Sequence, residues 1–190
     1  MIAWKIIGVL LFIIATPFQQ GFSIRGEYQY IRIVHQKQGY NLCVPTSASM
    51  VLRYYGDTIS PTRLKEISTP KGSTFDGTYL ADLVAGVKTL GYNWEVRVFT
   101  PDDSGFIKGF TEIQSALDAG HPVLLSTSSP PIGHTMVMVG YDVYRREIFL
   151  VDPNRETPGK RTISFDTFKT IWHEDIAKAR AFVLTRPKSH

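Results

Sequence analysis

Apolar residues recur along the chain at two kinds of spacing, which predict helices in some stretches and strands in others. Spacings of three and four residues indicate one apolar face of a helix, whereas alternation or a short apolar run indicates a strand. Helices are therefore predicted at 43–56, 61–68, 80–90, 111–120 and 164–172, and strands at 27–34, 94–99, 122–126, 133–141, 147–151 and 180–185. Turns are predicted at 76–78, where a residue would also cap the third helix, and at 102–105.

The strands at 133–141 and 147–151 are separated by a short polar turn, and this arrangement predicts an antiparallel hairpin. His134 lies near the start of the first strand, and Asp152 follows the end of the second. In an antiparallel pair the start of one strand meets the end of the next. The hairpin therefore predicts that His134 and Asp152 lie side by side.

Length and composition indicate one globular domain, because 190 residues with 43% hydrophobic and 20% charged residues are enough for a single core. The formal net charge is +4, but lysine and arginine are scattered, and they do not form the basic, aromatic-rich pattern of a nucleic-acid groove. We therefore expect no nucleic-acid partner. The other histidines, at 35, 121, 173 and 190, have no metal-ligand spacing, and the chain has no glycine-rich phosphate loop, so neither a metal nor a cofactor is expected.

The first residues have the pattern of a secretory signal peptide. Lys5 precedes an apolar run over 6–15, and Pro17 ends it. We predict a signal peptide at 1–23, cut before Ile24, and a mature domain at 24–190, exported to the periplasm or the extracellular space. An earlier cut near Ala15, a buried N-terminal helix and an uncleaved anchor are the alternatives. The run is shorter than the roughly 20 residues that span a bilayer, so membrane contact is expected only through an uncleaved leader.

Cys43 is the only cysteine, so it cannot form a disulfide within the chain. It follows a loop and begins a helix, in which Pro45 fits only the first turn. Unpaired N–H groups and the positive end of the helix dipole favour a thiolate at this position. Gln38 could offer its side-chain amide to a developing oxyanion, with the backbone N–H of Cys43 as second donor. The alternative for Cys43 is a small buried hydrophobic residue.

The three residues Cys43, His134 and Asp152 fit the roles of thiol-based acyl transfer. His134 would deprotonate the thiol and later protonate the leaving amine, and Asp152 would orient the imidazole. Asn154 is the competing candidate for that orienting role. Taken singly, His134 also fits an ordinary surface or core histidine, Asp152 a turn residue, and Gln38 a solvated loop amide.

Several short motifs occur along the chain in a recognisable order. They are Gln38 with the 43–56 segment CVPTSASMVLRYYG, Asp-Gly-Thr at 76–78, GHPVLL at 120–125, GH at 133–134 with VGYD at 139–142, and VDP at 151–153. In order and approximate spacing they resemble the C39-like family of papain-fold cysteine peptidases, and the resemblance extends from about residue 30 to residue 185. The resemblance implies an α+β, papain-like fold in which helices with the cysteine pack on an antiparallel sheet with the histidine and aspartate. It implies peptide-bond hydrolysis by Cys43, His134 and Asp152, with Gln38 in the oxyanion hole. Together with the leader it implies a bacterial exported protein.

Val44 departs from the family, which usually has glycine directly after the cysteine. A β-branched residue cannot easily adopt a positive φ and would narrow the space beside the thiol. We therefore predict a secreted cysteine peptidase that acts on a peptide or protein, or a related amidase or transpeptidase. Two alternatives remain, a catalytically silent papain-fold binding module, which Val44 favours, and an acyltransferase with the same triad. The sequence leaves the substrate and the oligomeric state open.

Overall fold

The computed structural model of the protein describes residues 26–128, 133–172 and 178–188. The predicted leader at 1–23 lies outside these ranges. The helices are α1 (Cys43–Tyr54), α2 (Pro61–Ser68), α3 (Leu80–Lys88), α4 (Asp103–Asp118) and α5 (Phe165–Ile171). The strands are β1 (Tyr28–Tyr30), β2 (Glu95–Phe99), β3 (Val123–Thr127), β4 (His134–Asp142), β5 (Glu147–Val151), β6 (Lys160–Ser164) and β7 (Arg180–Leu184).

The seven strands form one antiparallel sheet with the order β2-β7-β3-β4-β5-β6, and β1 pairs with the far end of β4. Residues of the central strands β3 and β4 are buried almost throughout. Continuous burial of a strand means that both faces of the sheet are covered. Helices α1 and α4 both contact these strands, so the core lies between the sheet and its helices. Among the described residues, none of the helices has the length and apolarity to cross a membrane.

The predicted β4–β5 hairpin is confirmed, with Val137 paired to Val151 and a bulge between Met138 and Gly140. The strand predicted at 27–34 is shorter, because β3 already pairs with 134–138 on the side of β4 that β1 would need. The chain beyond β1 still donates one bond, from the Ile31 N–H to the Val139 carbonyl at 2.7 Å.

Helix α4 begins eight residues before the predicted start at 111, and the turn predicted at 102–105 is wrong. The Asp102 carboxylate accepts the N–H of Gly105 at 2.7 Å and so caps the helix. Gly105 has no Cβ, which lets the first turn of α4 lie against the Thr100 carbonyl. A pattern that signals a turn, Asp-Asp-Ser-Gly, is therefore the first turn of a helix.

One other local prediction is wrong, and one strand was missed. No residue of 76–78 caps α3, whose first turn follows Tyr79 without a side-chain cap. Strand β6 was not predicted, because its sequence, KRTIS, is short and polar and only alternate residues are partly buried. It pairs with β5 over five positions and forms one edge of the sheet. This strand contributes a charge to the site described below.

Candidate active site

Cys43 is the first residue of α1, and the N-terminus of this helix is open. Leu42 occupies the N-cap position and offers no side-chain acceptor. By contrast, Ser60, Asp102 and Ser164 accept N–H groups at the starts of α2, α4 and α5. The first-turn N–H groups of α1 are therefore not used by a capping side chain, and the positive end of the helix dipole faces the thiol.

His134 begins β4, and α1 packs against this strand so that the imidazole meets the thiol. The Ser47 hydroxyl in α1 donates a hydrogen bond to the Thr135 carbonyl in β4 at 3.1 Å, which fixes the helix on the strand. The His134 ring and the backbone N–H groups of Thr135 and Val44 lie near the Cys43 sulfur and lower the pKa of its thiol. Helix and strand thus place a thiol beside an imidazole.

Asp152 lies on the other side of the imidazole. Its Oδ1 is 2.7 Å from His134 Nε2, and the two side chains are only 7% and 12% exposed. Because Nε2 faces the carboxylate, Nδ1 is the ring nitrogen available to the sulfur. Asn154 is exposed and gives Asp152 Oδ1 its backbone N–H at 2.9 Å. The carboxylate of Asp152, and not the amide of Asn154, therefore contacts the ring.

Arg161 completes the surroundings of this carboxylate. Its Nη1 atom is 3.3 Å from Asp152 Oδ2. Burial would raise the pKa of Asp152, but the hydrogen bonds from His134 and the Asn154 N–H, with the charges of His134 and Arg161, hold it below its ordinary value. The carboxylate is therefore ionised at neutral pH.

The pKa values of the thiol and the imidazole move in opposite directions. Burial would raise the pKa of Cys43, but the hydrogen bonds from His134 and the Thr135 N–H, and the charge of His134, lower it below its ordinary value. Burial would lower the pKa of His134, but the hydrogen bonds to Asp152 and Cys43 raise it to about 9. Both shifts favour a thiolate–imidazolium pair.

Gln38 lies just before the turn that leads into α1. This turn closes with a bond from the Leu42 N–H to the Gly39 carbonyl at 3.3 Å, so Gln38 and Cys43 flank one tight turn. The Gln38 backbone N–H donates to the Pro153 carbonyl at 2.8 Å, one residue beyond Asp152. Its side-chain Oε1 is buried and has no hydrogen-bond partner among the described residues.

Val44 has a helical backbone in the first turn of α1, and its side chain is in the hydrophobic core. It is not among the described residues with a positive φ. The valine is therefore not strained by a positive φ, because the position does not require the left-handed region.

Within the described residues, no group of three or more histidine, cysteine, aspartate or glutamate side chains could hold a metal ion. The site consists instead of a thiol beside an imidazole, which in turn is hydrogen-bonded to a carboxylate. A protein-family comparison agrees with this chemistry, because the model of the Peptidase_C39 like family matches residues 28–179. The chain belongs to the Peptidase_C39 like family. It is thus a cysteine peptidase by family.

Solved structures share the fold of this C39-like peptidase. The peptidase domain of Streptococcus ComA, described as a bi-functional ABC transporter, is 20% identical, with a TM-score of 0.55 and coverage of 84% of this chain and 100% of that chain. A double glycine motif protease from an AMS/PCAT transporter, solved with its leader peptide, is 14% identical, with a TM-score of 0.60 and coverage of 84% and 95%. Xylellain, a cysteine protease from Xylella fastidiosa, is 11% identical, with a TM-score of 0.58 and coverage of 86% and 87%. The papain-like α+β fold is confirmed. No curated protein matches the chain.

The sequence of this C39-like peptidase did not reveal two residues around the site. Arg161 was missed with its strand, although alternation of Thr162 and Ile163 after the glycine at 159 is a weak strand signal. His35 was set aside because it lacks metal-ligand spacing, yet its Nε2 is 3.1 Å from the Asp152 carbonyl. The two residues are 117 positions apart in the sequence, so no local pattern predicts this contact.

Proposed function

We propose that this peptidase hydrolyses peptide bonds through Cys43 as nucleophile, His134 as general base and acid, and Asp152 as orienting carboxylate. One observation carries the proposal: at the open end of α1, the His134 ring lies between the Cys43 thiol, whose pKa it lowers, and Asp152 Oδ1, which is 2.7 Å from Nε2. Each member has the partner that its role requires.

The resting pair is a thiolate and an imidazolium, because the pKa of Cys43 is lowered while that of His134 is raised to about 9. The sulfur attacks the carbonyl carbon of the scissile bond, and the carbonyl π electrons move onto oxygen. When this oxyanion collapses, the C–N bond breaks and His134 Nδ1 gives its proton to the leaving amine. The product of this half-reaction is a thioester on Cys43 and a neutral imidazole.

Water completes the reaction. The neutral His134 takes a proton from water while the water oxygen attacks the thioester carbon. Collapse of the second oxyanion breaks the C–S bond, releases the acid product and restores the thiolate–imidazolium pair. Asp152 stays ionised throughout, because its pKa is held below its ordinary value, and so it stabilises the imidazolium in both half-reactions.

The two oxyanion donors in this proposal are the side-chain amide of Gln38 and the backbone N–H of Cys43. They flank the same tight turn, and α1 has no capping side chain that would use the Cys43 N–H. A preorganised pair of donors is commonly the largest single contribution in acyl transfer. Gln38→Ala is therefore expected to lower turnover by about 100-fold while leaving the thiol reactive.

A peptide or protein substrate is supported by the surface next to the nucleophile. Asp76 accepts the side-chain amide of Asn41, two residues before Cys43, at 2.9 Å. Beside Asp76, the exposed rings of Phe75 and Tyr79 stack at 4.5 Å. Exposed, ordered aromatic rings offer a contact surface for an extended chain. The AMS/PCAT protease, which has the same fold, was solved with a leader peptide.

The first test is the pH dependence of iodoacetamide alkylation of Cys43 in the wild type and in His134→Ala. The wild type is expected to react with a thiol pKa below the ordinary 9.0. In the variant the thiol pKa is expected to be higher than in the wild type, because the hydrogen bond and charge of His134 are lost while the thiol stays buried. Cys43→Ser gives the background rate. If the two proteins titrate alike, the Cys–His pair does not exist and the proposal fails.

Product analysis separates this proposal from the two alternatives. Incubation with a peptide mixture, followed by mass spectrometry, is expected to yield new C-terminal acids that depend on Cys43. An added primary amine would be incorporated at the same positions by an acyltransferase. A binding module would leave the mixture unchanged and Cys43 unreactive. Backbone strain at Val44 does not support that last alternative, because its backbone is helical.

The substrate is proposed to be met after export through the leader at 1–23. This part of the proposal rests on the charge of Lys5, the apolar run over 6–15 and the break at Pro17. N-terminal sequencing of protein recovered from the periplasm or the medium of the producing cells is expected to show a first residue near Ile24. A protein retained inside the cell with Met1 or Ile2 as first residue would contradict export.

A further inference from the structure

Two distant segments lie side by side next to the candidate active site. Residues 35–38 lead toward the nucleophile, and residues 152–157 follow β5. We infer that His35 is a positioning residue, which holds the segment of Gln38 against the segment of Asp152 and so sets the oxyanion donor relative to the triad. This inference rests on the proposed function.

Both ring nitrogens of His35 contact the segment of Asp152. Nε2 is 3.1 Å from the Asp152 backbone carbonyl, and Nδ1 is 3.2 Å from Thr157 Oγ1. A carbonyl oxygen can only accept, so Nε2 carries the hydrogen. In the neutral imidazole Nδ1 then accepts the hydroxyl proton of Thr157. The ring is therefore held in one orientation by two bonds.

The edge of the ring is packed as well as bonded. Gly159 lies so close to it that a side-chain carbon at this position would collide with the imidazole, and the φ of +65° there also favours glycine. The carbonyl of Gly159 accepts the Asp152 N–H at 2.8 Å. The backbone of Asp152 is thus fixed on both sides, through its N–H by Gly159 and through its carbonyl by His35.

Gln38 lies three residues after His35, and this part of the chain also contacts the segment of Asp152. The Gln38 N–H donates to the Pro153 carbonyl at 2.8 Å, and Lys37 Nζ contacts the Asn154 carbonyl at 3.0 Å. His35, Lys37 and Gln38 therefore contact three consecutive residues, 152–154, of the other segment. Lys37 is exposed and contributes little, which leaves the half-buried His35 as the main anchor. Because acyl transfer is sensitive to displacements of about 1 Å, loss of this anchor is expected to misplace the Gln38 amide.

The test compares two reactions of Cys43 that differ in their need for an oxyanion hole. Iodoacetamide alkylation needs only the thiolate, whereas acylation by p-nitrophenyl acetate passes through an oxyanion. In His35→Ala the acylation rate is expected to fall about tenfold or more, with the alkylation rate and its pH dependence unchanged. His35→Gln, whose Nε2 can donate to the same carbonyl, is expected to restore acylation. His121→Ala is the matched control for loss of a histidine elsewhere.

Hydrogen–deuterium exchange of residues 36–40 gives a readout that does not depend on catalysis. Exchange at the Gln38 amide is expected to be faster in His35→Ala and normal in His35→Gln. Unchanged acylation in His35→Ala, an equal fall of both reactions, or no restoration by His35→Gln would each overturn the inference. If the wild type is alkylated but never acylated, the proposed function fails. The positioning role of His35 is then judged from hydrogen exchange alone. Unchanged exchange at Gln38 in His35→Ala would overturn that role, and faster exchange would support it.

Discussion

Replacement of Asp152 by asparagine tests the electrostatics of the site most directly. The pKa of His134 lies at about 9, against an ordinary value of 6.5. This difference corresponds to about 3 kcal/mol in favour of the imidazolium. Burial alone would lower the pKa of His134. The hydrogen bond to Asp152 is the largest of the causes that raise it, and the hydrogen bond to Cys43 comes next. Asparagine retains the shape and an acceptor oxygen but removes the charge, so the pKa of His134 is expected to fall by at least about one pH unit.

The direction of the change fixes the effect on catalysis. Protonation of the leaving amine needs the imidazolium, so turnover in the wild type is expected to decline on the alkaline side near pH 9, the pKa of His134. In Asp152→Asn this limb moves to lower pH. The acid limb moves to higher pH, because a less stable imidazolium stabilises the Cys43 thiolate less. The bell-shaped profile is therefore expected to narrow from both sides.

The assay is a pH titration of ¹⁵N-labelled histidine side chains by NMR. The chain has five histidines, and loss of one signal in His134→Gln assigns the resonance. Asn154→Ala is the matched control, because Asn154 contacts Asp152 through its backbone N–H, which the substitution retains. A wild-type His134 that titrates near 6.5, or an Asp152→Asn protein that still titrates near 9, would refute the reasoning.

Three further outcomes are expected. Val44→Gly removes a buried side chain from α1 and should lower the free energy of unfolding by about 2–4 kcal/mol, as measured by urea denaturation. Cys43 should still be alkylated in this variant. Unchanged stability would contradict the place of Val44 in the core. Gly140→Ala should destabilise the fold by about 1–3 kcal/mol, because its Cβ would meet the backbone of β1, whereas Gly133→Ala, which has only an ordinary contact, should be tolerated in the same melts. The pKa of Asp152 is held below the ordinary 3.8. The contribution of this carboxylate to stability is therefore present above pH 3.8 and is lost as the pH falls through the lowered pKa. Acid unfolding of Asp152→Asn should show a weaker pH dependence than that of the wild type, and identical acid titrations would contradict this.

Local patterns predicted the elements that carry their own signals. The β4–β5 hairpin followed from two apolar runs around a polar turn, and α2 from Ser60 and Pro61. The placement of His134 beside Asp152 needed only the geometry of that hairpin. Because these contacts span few residues, the sequence near them contains the information that determines them.

The failures have a different origin. At 102–105 the same residues suit a turn and a helix cap, and the choice depends on packing of Gly105 against Thr100. Strand β6 is polar, and only its pairing with β5 makes it a strand. Without that strand, Arg161 could not be placed beside Asp152. In each case a contact outside the segment decides its structure.

Asp152 shows most clearly why the sequence revealed only part of the site. Its side chain contacts His134 and Arg161, and its chemistry suggested the first of these contacts. Its backbone has a second role, because the N–H and carbonyl bind Gly159 and His35. A backbone group is the same in every residue, so a motif search based on side-chain chemistry has no means of finding this role. In the proposed chemistry the carboxylate acts on the imidazolium and the main chain on the segment of the oxyanion donor. One residue then joins the two halves of that chemistry through different atoms.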